Sequence, residues 1–359
     1  MHLHKENLRS IQLMRGIACI LVALMHITRT FNETYGGHLL GNIFNFGGCG
    51  VDIFFVLSGF IITYSNQNYI GKTENTVTFL KKRAIRIFPI YWIIVIFFLS
   101  LQLLFPSFYK TQFHFSLGNL LYTFFLLPNH QMINGVSWSL TNELFFYFIF
   151  SFAFLIPKVK HTFLLLGCYL SVLIVFNLIP FHSFPAFNRS GFTTLVLFPM
   201  NIEFLLGILV VIFLKRFPLK WCRPFIFTAI GLFIISATLY NFNQGFFQNN
   251  FNRVLVFGVP SFLLILGIVK YELVLNINLH NFLLQIGNAS YSIYLIHLPI
   301  VVAFFKVIKK LPINNHLPLV GLSCLLLIMV CLVGMALYKY IESPVIRLLN
   351  NRWVKHNKQ

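Results

Sequence analysis

The chain has 359 residues, of which 58% are hydrophobic and only 10% are charged. No soluble core of this size needs so much apolar sequence, so composition excludes a water-soluble globular enzyme and indicates a polytopic membrane protein. A net charge of +19 invites a nucleic-acid reading, but the Lys and Arg residues cluster at the ends of apolar runs without forming a continuous stripe, and no nucleic-acid partner is expected.

Apolar runs long enough to span recur at about 11–31, 48–65, 87–105, 137–156, 162–180, 192–214, 224–241, 251–271, 282–305 and 318–341. They predict an all-α transmembrane helix bundle of about ten spans. A shorter run near 117–127 reads as an interfacial or re-entrant piece. With the N-terminus in the cytoplasm, all but seven of the 27 Lys and Arg residues fall on the cytoplasmic side. The exceptions are Arg29, Lys110, Arg189, Arg253, Lys306, Lys309 and Lys310. That asymmetry predicts both termini inside, with the loop after Lys306 as its weakest part. The first run is too long and too polar for a signal peptide and lacks a small-residue cleavage site, so it is expected to stay attached. Residues 1–345 read as one integral-membrane domain and 346–359 as a short basic tail. The six cysteines show no metal-type spacing and read as buried thiols; no metal site is expected.

Arg15 and His26 stand eleven residues apart in the first run. At about 100° per residue they share a helix face, roughly 16 Å apart along the axis. A guanidinium inside a membrane helix turns toward protein or water, so the pair suggests a cation site at one depth and a proton-transfer group at another. Asp52, the only Asp in the chain, lies within Gly50–Phe60, and Glu143 lies within Trp138–Tyr147. Both are predicted to reach the depth of His26 in the outer half, where carboxylates orient a general base; the alternative is buried pairs holding helices together. Ser58 reads as a small packing residue, Glu203 as an acid paired within the bundle, and His297 as either a core hydrogen-bonding group or a pathway lining. Glu342 is expected to pair with a basic loop.

The run Lys81-Lys82-Arg83-Ala84-Ile85-Arg86 precedes Pro89, which suits a helix start. Arg83 and Arg86 share a helix face and form a fork suited to a phosphate. A basic run is also an ordinary topology signal. There is no GxSxG, Walker loop, HExxH or Rossmann fingerprint.

Taken in order, these pieces resemble the acyltransferase 3 family of bacterial integral-membrane acyltransferases. The matching stretches are Arg15–Ala18 with His26, Gly50–Phe60, Lys82–Arg86 with Pro89 and Tyr91, Trp138–Tyr147, Ser290–His297 and Glu342–Pro344. The Trp138–Tyr147 block looks most like the exopolysaccharide-acetylating branch. The resemblance implies a ten-helix bundle in the bacterial inner membrane that takes an acyl group, usually acetyl, from cytoplasmic acyl-CoA. The acceptor it implies is a hydroxyl of a surface or exported glycan, with membrane lipid and polysaccharide biosynthesis proteins as partners. It places His26 and Arg15 at the reaction centre and Arg83 with Arg86, aided by Lys82, at acetyl-CoA. No counterpart of the esterase-like SGNH domain of some members is expected. On this reading His26 takes the acceptor proton, with Asp52 or Glu143 orienting it. Either the pantetheine arm crosses the distance from Arg15, or Arg15 guides the donor while another group steadies the thioester oxygen; a covalent acyl-enzyme on His26 is also open. The competing classes are a glycan translocase, which has the same polar intramembrane content, and a scaffold within a synthase complex.

Overall fold

A computed structural model gives the architecture. It describes residues 8–105, 114–128, 133–178, 191–275, 277–310 and 316–356. Lys110 and Arg189, and much of the loop after Lys310, lie outside the described residues. Among those described, sixteen α-helices run in chain order: α1 Arg9–Tyr35, α2 Cys49–Asn66, α3 Asn75–Leu104, α4 Leu117–Phe124, α5 Trp138–Ser151, α6 Val159–Leu178, α7 Gly191–Val196, α8 Asn201–Leu214, α9 Cys222–Phe242, α10 Gln244–Gln248, α11 Asn250–Arg253, α12 Val259–Leu275, α13 Asn281–Asn288, α14 Ser290–Ile308, α15 His316–Leu337 and α16 Ser343–His356. Two π-helical turns interrupt the series, Val254–Gly258 before α12 and Tyr338–Glu342 between α15 and α16.

Each predicted apolar run falls on helix. Among the described residues eight helical segments are long and apolar enough to cross a membrane, and Leu164–Leu178 is a shorter apolar helix. The bundle is therefore all-α and multi-pass. α5, with 14 residues, is also short for a span. The third element begins twelve residues before the predicted run, at Asn75, so the basic run lies inside α3 and Pro89 does not open a helix. Pro89 only forfeits the bond its missing N–H would make to the carbonyl of Ile85, and the helix continues on both sides. The segment read as a tail begins inside α16.

α1 is central and is fixed at both ends. Its first amides have no partner within the helix. Glu272 of α12 supplies one, accepting from Arg9 N at 2.7 Å and Ser10 N at 2.9 Å, and from the Ser10 hydroxyl. A carboxylate there also suits the positive end of the helix dipole. At the other end Gly36 takes a left-handed conformation (φ 65°) and its N–H donates to Asn32 O at 2.8 Å, which stops the helix.

α2 and α8 pack backbone to backbone. An added Cβ at Gly59 would run into the carbonyl of Phe204, and one at Gly207 into that of Val56. Without water between helices, close contact of this kind supplies much of the association energy. Replacing Gly207 with Leu is expected to destabilise the bundle by about 3 kcal/mol, the upper range for overpacking, read as a lower unfolding midpoint in detergent. Gly167 of α6 meets no neighbour, so Gly167→Ala in the same assay should leave the midpoint unchanged or raise it slightly.

Candidate active site

The face of α1 that carries Arg15 and His26 packs on α14, and the two helices run in the same direction. At the Arg15 end lies a cavity of about 130 Å³, room for several waters or a slender chain. α2 lines it with Ser58, α3 with Arg83 and Arg86, α5 with Ser139, Glu143 and Tyr147, and α14 with Ser290, Tyr291 and Tyr294. The i, i+3 spacing of Arg83 and Arg86 does place both on one face. Lys82, one residue earlier, is exposed and does not line the cavity.

The three arginines are held differently. Arg86 Nη1 donates to Glu342 Oε1 at 2.6 Å and lies over the Tyr291 ring. Glu342, fully buried, also accepts from Ser292 Oγ at 2.5 Å. The π turn Tyr338–Glu342 carries this carboxylate into the bundle, where its partner is a residue of α3 and not the basic loop expected from sequence. Arg83 has no carboxylate partner among the described residues. It lies over the rings of Phe79 and Tyr147, and its buried Nε has no hydrogen-bond partner. Arg15 likewise has no salt bridge among the described residues, with Arg86, Glu342, Glu143 and Tyr147 as its charged or ionisable neighbours. Set against Glu143 and Glu342, three guanidiniums leave the cavity one positive charge in excess, which suits an anionic ligand.

Glu143 does not reach His26. It accepts from Ser58 Oγ at 2.5 Å and from the Tyr147 hydroxyl one turn along α5. Ser58 stands six residues beyond Asp52 on α2, about 9 Å deeper and roughly 120° around the helix, so Glu143 belongs to the depth of Arg15. Ser58, read from sequence as packing, is one of its two ligands and lines the cavity.

Asp52 does not orient His26 either. It turns toward the end of α11, where Oδ2 accepts from Arg253 Nη2 at 2.6 Å. Arg253 also donates to Gly48 O at 3.2 Å. Glu203 of α8 lies beside Asp52, against Gly258 of the π turn before α12. Arg253 is thus a half-buried structural partner, although its place among the exceptions to the charge asymmetry gives it the look of a loop residue.

The neighbour of His26 is His297. Their ring centroids are 5.2 Å apart, and the Tyr294 ring is 5.6 Å from that of His297. Tyr294 Oη meets Ser139 Oγ at 2.7 Å in the arginine-lined cavity, so α14 connects the two ends. One turn beyond His26 a second cavity, of about 460 Å³, opens among Arg29, Asn32, Glu33, His38, Asn42 and Tyr240. Its charges balance and its other groups are amides and ring edges. The Asn32 amide donates to Asn42 Oδ1 at 2.6 Å, and Arg29 donates to Tyr240 Oη at 3.1 Å.

Residues 8–339 match the acyltransferase 3 family, described as an acyltransferase domain. The chain is 27% identical over 317 residues to the exopolysaccharide production protein ExoZ of Rhizobium meliloti (strain 1021), covering 86% of this chain and 92% of that protein. No solved structure matches it.

The Asp52–Arg253 pair is expected to be structural. Asp52→Ala leaves a mostly buried guanidinium without its carboxylate and should cost about 3–5 kcal/mol. Asp52→Ala combined with Arg253→Met should recover most of that loss. Unfolding midpoints of the single and double variants check it; a double variant no better than the single would contradict the pairing.

Proposed function

The chain belongs to the acyltransferase 3 family, and on that premise we propose that it transfers an acyl group, acetyl foremost, from cytoplasmic acyl-CoA to a hydroxyl of an exopolysaccharide or a related exported glycan. The setting is the inner membrane of a bacterium. The observation that carries the reading is the arginine-lined cavity, joined through α1 and α14 to a histidine pair and then to a neutral polar cavity. One end suits a polyanionic donor. The other, rich in amides with balanced charge, suits a polyhydroxylated acceptor.

The donor's phosphates engage Arg83, which no carboxylate among the described residues binds, and Arg15 draws the thioester into the bundle. Arg86 belongs to the frame because Glu342 already engages it. The long pantetheine arm carries the acyl group along the face of α1 toward His26. There the imidazole takes the proton of an acceptor hydroxyl, the oxygen attacks the thioester carbonyl, and the carbon–sulfur bond breaks. The thiolate then recovers the proton from His26, giving CoA thiol and an ester.

Mass spectrometry of surface glycans tests this in cells carrying wild type, a deletion or His26→Ala at matched membrane abundance. Loss of one ester-linked acyl group in both mutants, with glycan amount unchanged, is the expected result. Retained acylation in His26→Ala would remove the base, and reduced export with normal acylation would favour a translocase. The two cytoplasmic-end arginines should also separate. Arg83→Gln is expected to raise KM for acetyl-CoA about tenfold, the loss of one charge-assisted contact, with folded protein retained. Arg86→Gln should lower the yield of folded protein, because Glu342 is then left buried without its cation.

A further inference from the structure

If neither Asp52 nor Glu143 orients His26, another group must, because an imidazole acts as a base only when one nitrogen is held as the lone-pair donor. His297 is 1% exposed, and its Nδ1 lies 2.6 Å from the carbonyl oxygen of Tyr294. A carbonyl only accepts, so Nδ1 carries the proton and Nε2 carries the lone pair. That Nε2 is buried and has no hydrogen-bond partner among the described residues. A buried acceptor left open costs free energy unless something uses it. The ring at hand is that of His26, with centroids 5.2 Å apart and planes tilted by 47°.

We propose that His297 is the positioning residue of the acyl transfer: the two rings, in contact but not hydrogen-bonded in this structure, turn on acceptor binding so that His297 Nε2 accepts a hydrogen bond from one ring N–H of His26, leaving the other nitrogen of His26 free for the acceptor hydroxyl. This rests on the function proposed above. The backbone of α14 fixes the tautomer of His297, and His297 in turn fixes that of His26. During the reaction the acceptor O–H bond breaks as an N–H bond forms on His26. The resulting imidazolium keeps its hydrogen bond to His297 while the ester C–O bond forms and the C–S bond breaks. His26 then returns that proton to the CoA thiolate. Over the cycle the pair gains one proton from the acceptor and gives one to the thiolate, and both rings end as they began. The arrangement is the one a carboxylate provides in a Ser-His-Asp triad, here made with a neutral acceptor. A neutral partner suits a segment buried in the bilayer, where an additional carboxylate would need a cation of its own.

Two amide substitutions separate this role from a structural one. Asn at 297 keeps a donor near the position of Nδ1, and with it the bond to Tyr294 O, but offers nothing at the position of Nε2. Gln places its amide there and can accept from His26. The initial rate of label transfer from radioactive acetyl-CoA into glycan, in inverted membrane vesicles with matched protein abundance, reads the difference. His297→Asn is expected to fall about 10²-fold in kcat with KM for acetyl-CoA unchanged, the scale of losing a well-placed base. His297→Gln should retain at least ten times the activity of His297→Asn. Equal activity of the two at any level, or Asn more active than Gln, overturns the proposal. An inactive wild type or a fully active His26→Ala in the same vesicles defeats the proposed function instead.

Discussion

An ion inside an apolar bundle must have a partner, and this chain has only eight acids for 27 bases. Where each acid goes therefore decides how the helices sit. Glu272 closes the first amides of α1 from α12, Glu342 joins α14 and the last π turn to α3, and Asp52 joins α2 to the end of α11. Glu143 is spent on Ser58 and Tyr147. Once those assignments are made, no carboxylate among the described residues forms a salt bridge with Arg15 or Arg83. The cationic cavity is what remains when a scarce set of carboxylates has been used to hold the frame together.

Both π turns belong to this arrangement. A π turn adds one residue to the helical repeat and so rotates the rest of the helix about its axis. After α15 it turns Glu342 inward to Arg86 and Ser292, and after α11 it brings Gly258 against the Glu203 carboxyl while Arg253 reaches Asp52. An uninterrupted helix would turn the residues that follow about 100° away from their present facing. The irregular turns are thus as much a part of the charge arrangement as the charged side chains.

Composition and run length are enough to give an all-α membrane bundle, because hydrophobic length is a one-dimensional property. The Arg15–His26 stripe and the Arg83–Arg86 fork are legible for the same reason, since i, i+3 and i, i+11 spacings within one helix need no tertiary knowledge. Depths and partners across helices are not legible in that way. Counting from one membrane face assigns Asp52 and Glu143 to the depth of His26, but α5 meets α2 a turn and a half further along, at Ser58. Arg253 and Pro89 mislead in the same manner, each having a local signature for a loop or a helix start that packing overrides. His297 has a visible signal, a histidine inside an apolar run. Only its distance to His26 and the carbonyl at its Nδ1 give that signal a direction.

The arrangement also bears on how a bundle of this kind passes a group without passing a polymer. α1 carries a cationic cavity near one end and a neutral polar one near the other, and between them the bundle is packed with buried apolar and aromatic side chains and the histidine pair. A translocase needs a continuous polar path wide enough for sugar rings. An acyltransferase needs only a slender route for an arm bearing a small acyl group, closed to water so that the thioester meets the acceptor hydroxyl before a water molecule. A cavity of about 130 Å³ bordered by Tyr147, Tyr291 and Tyr294 fits the second requirement. The small volume of that cavity, together with its charge, is the physical ground for preferring group transfer over transport in this bundle.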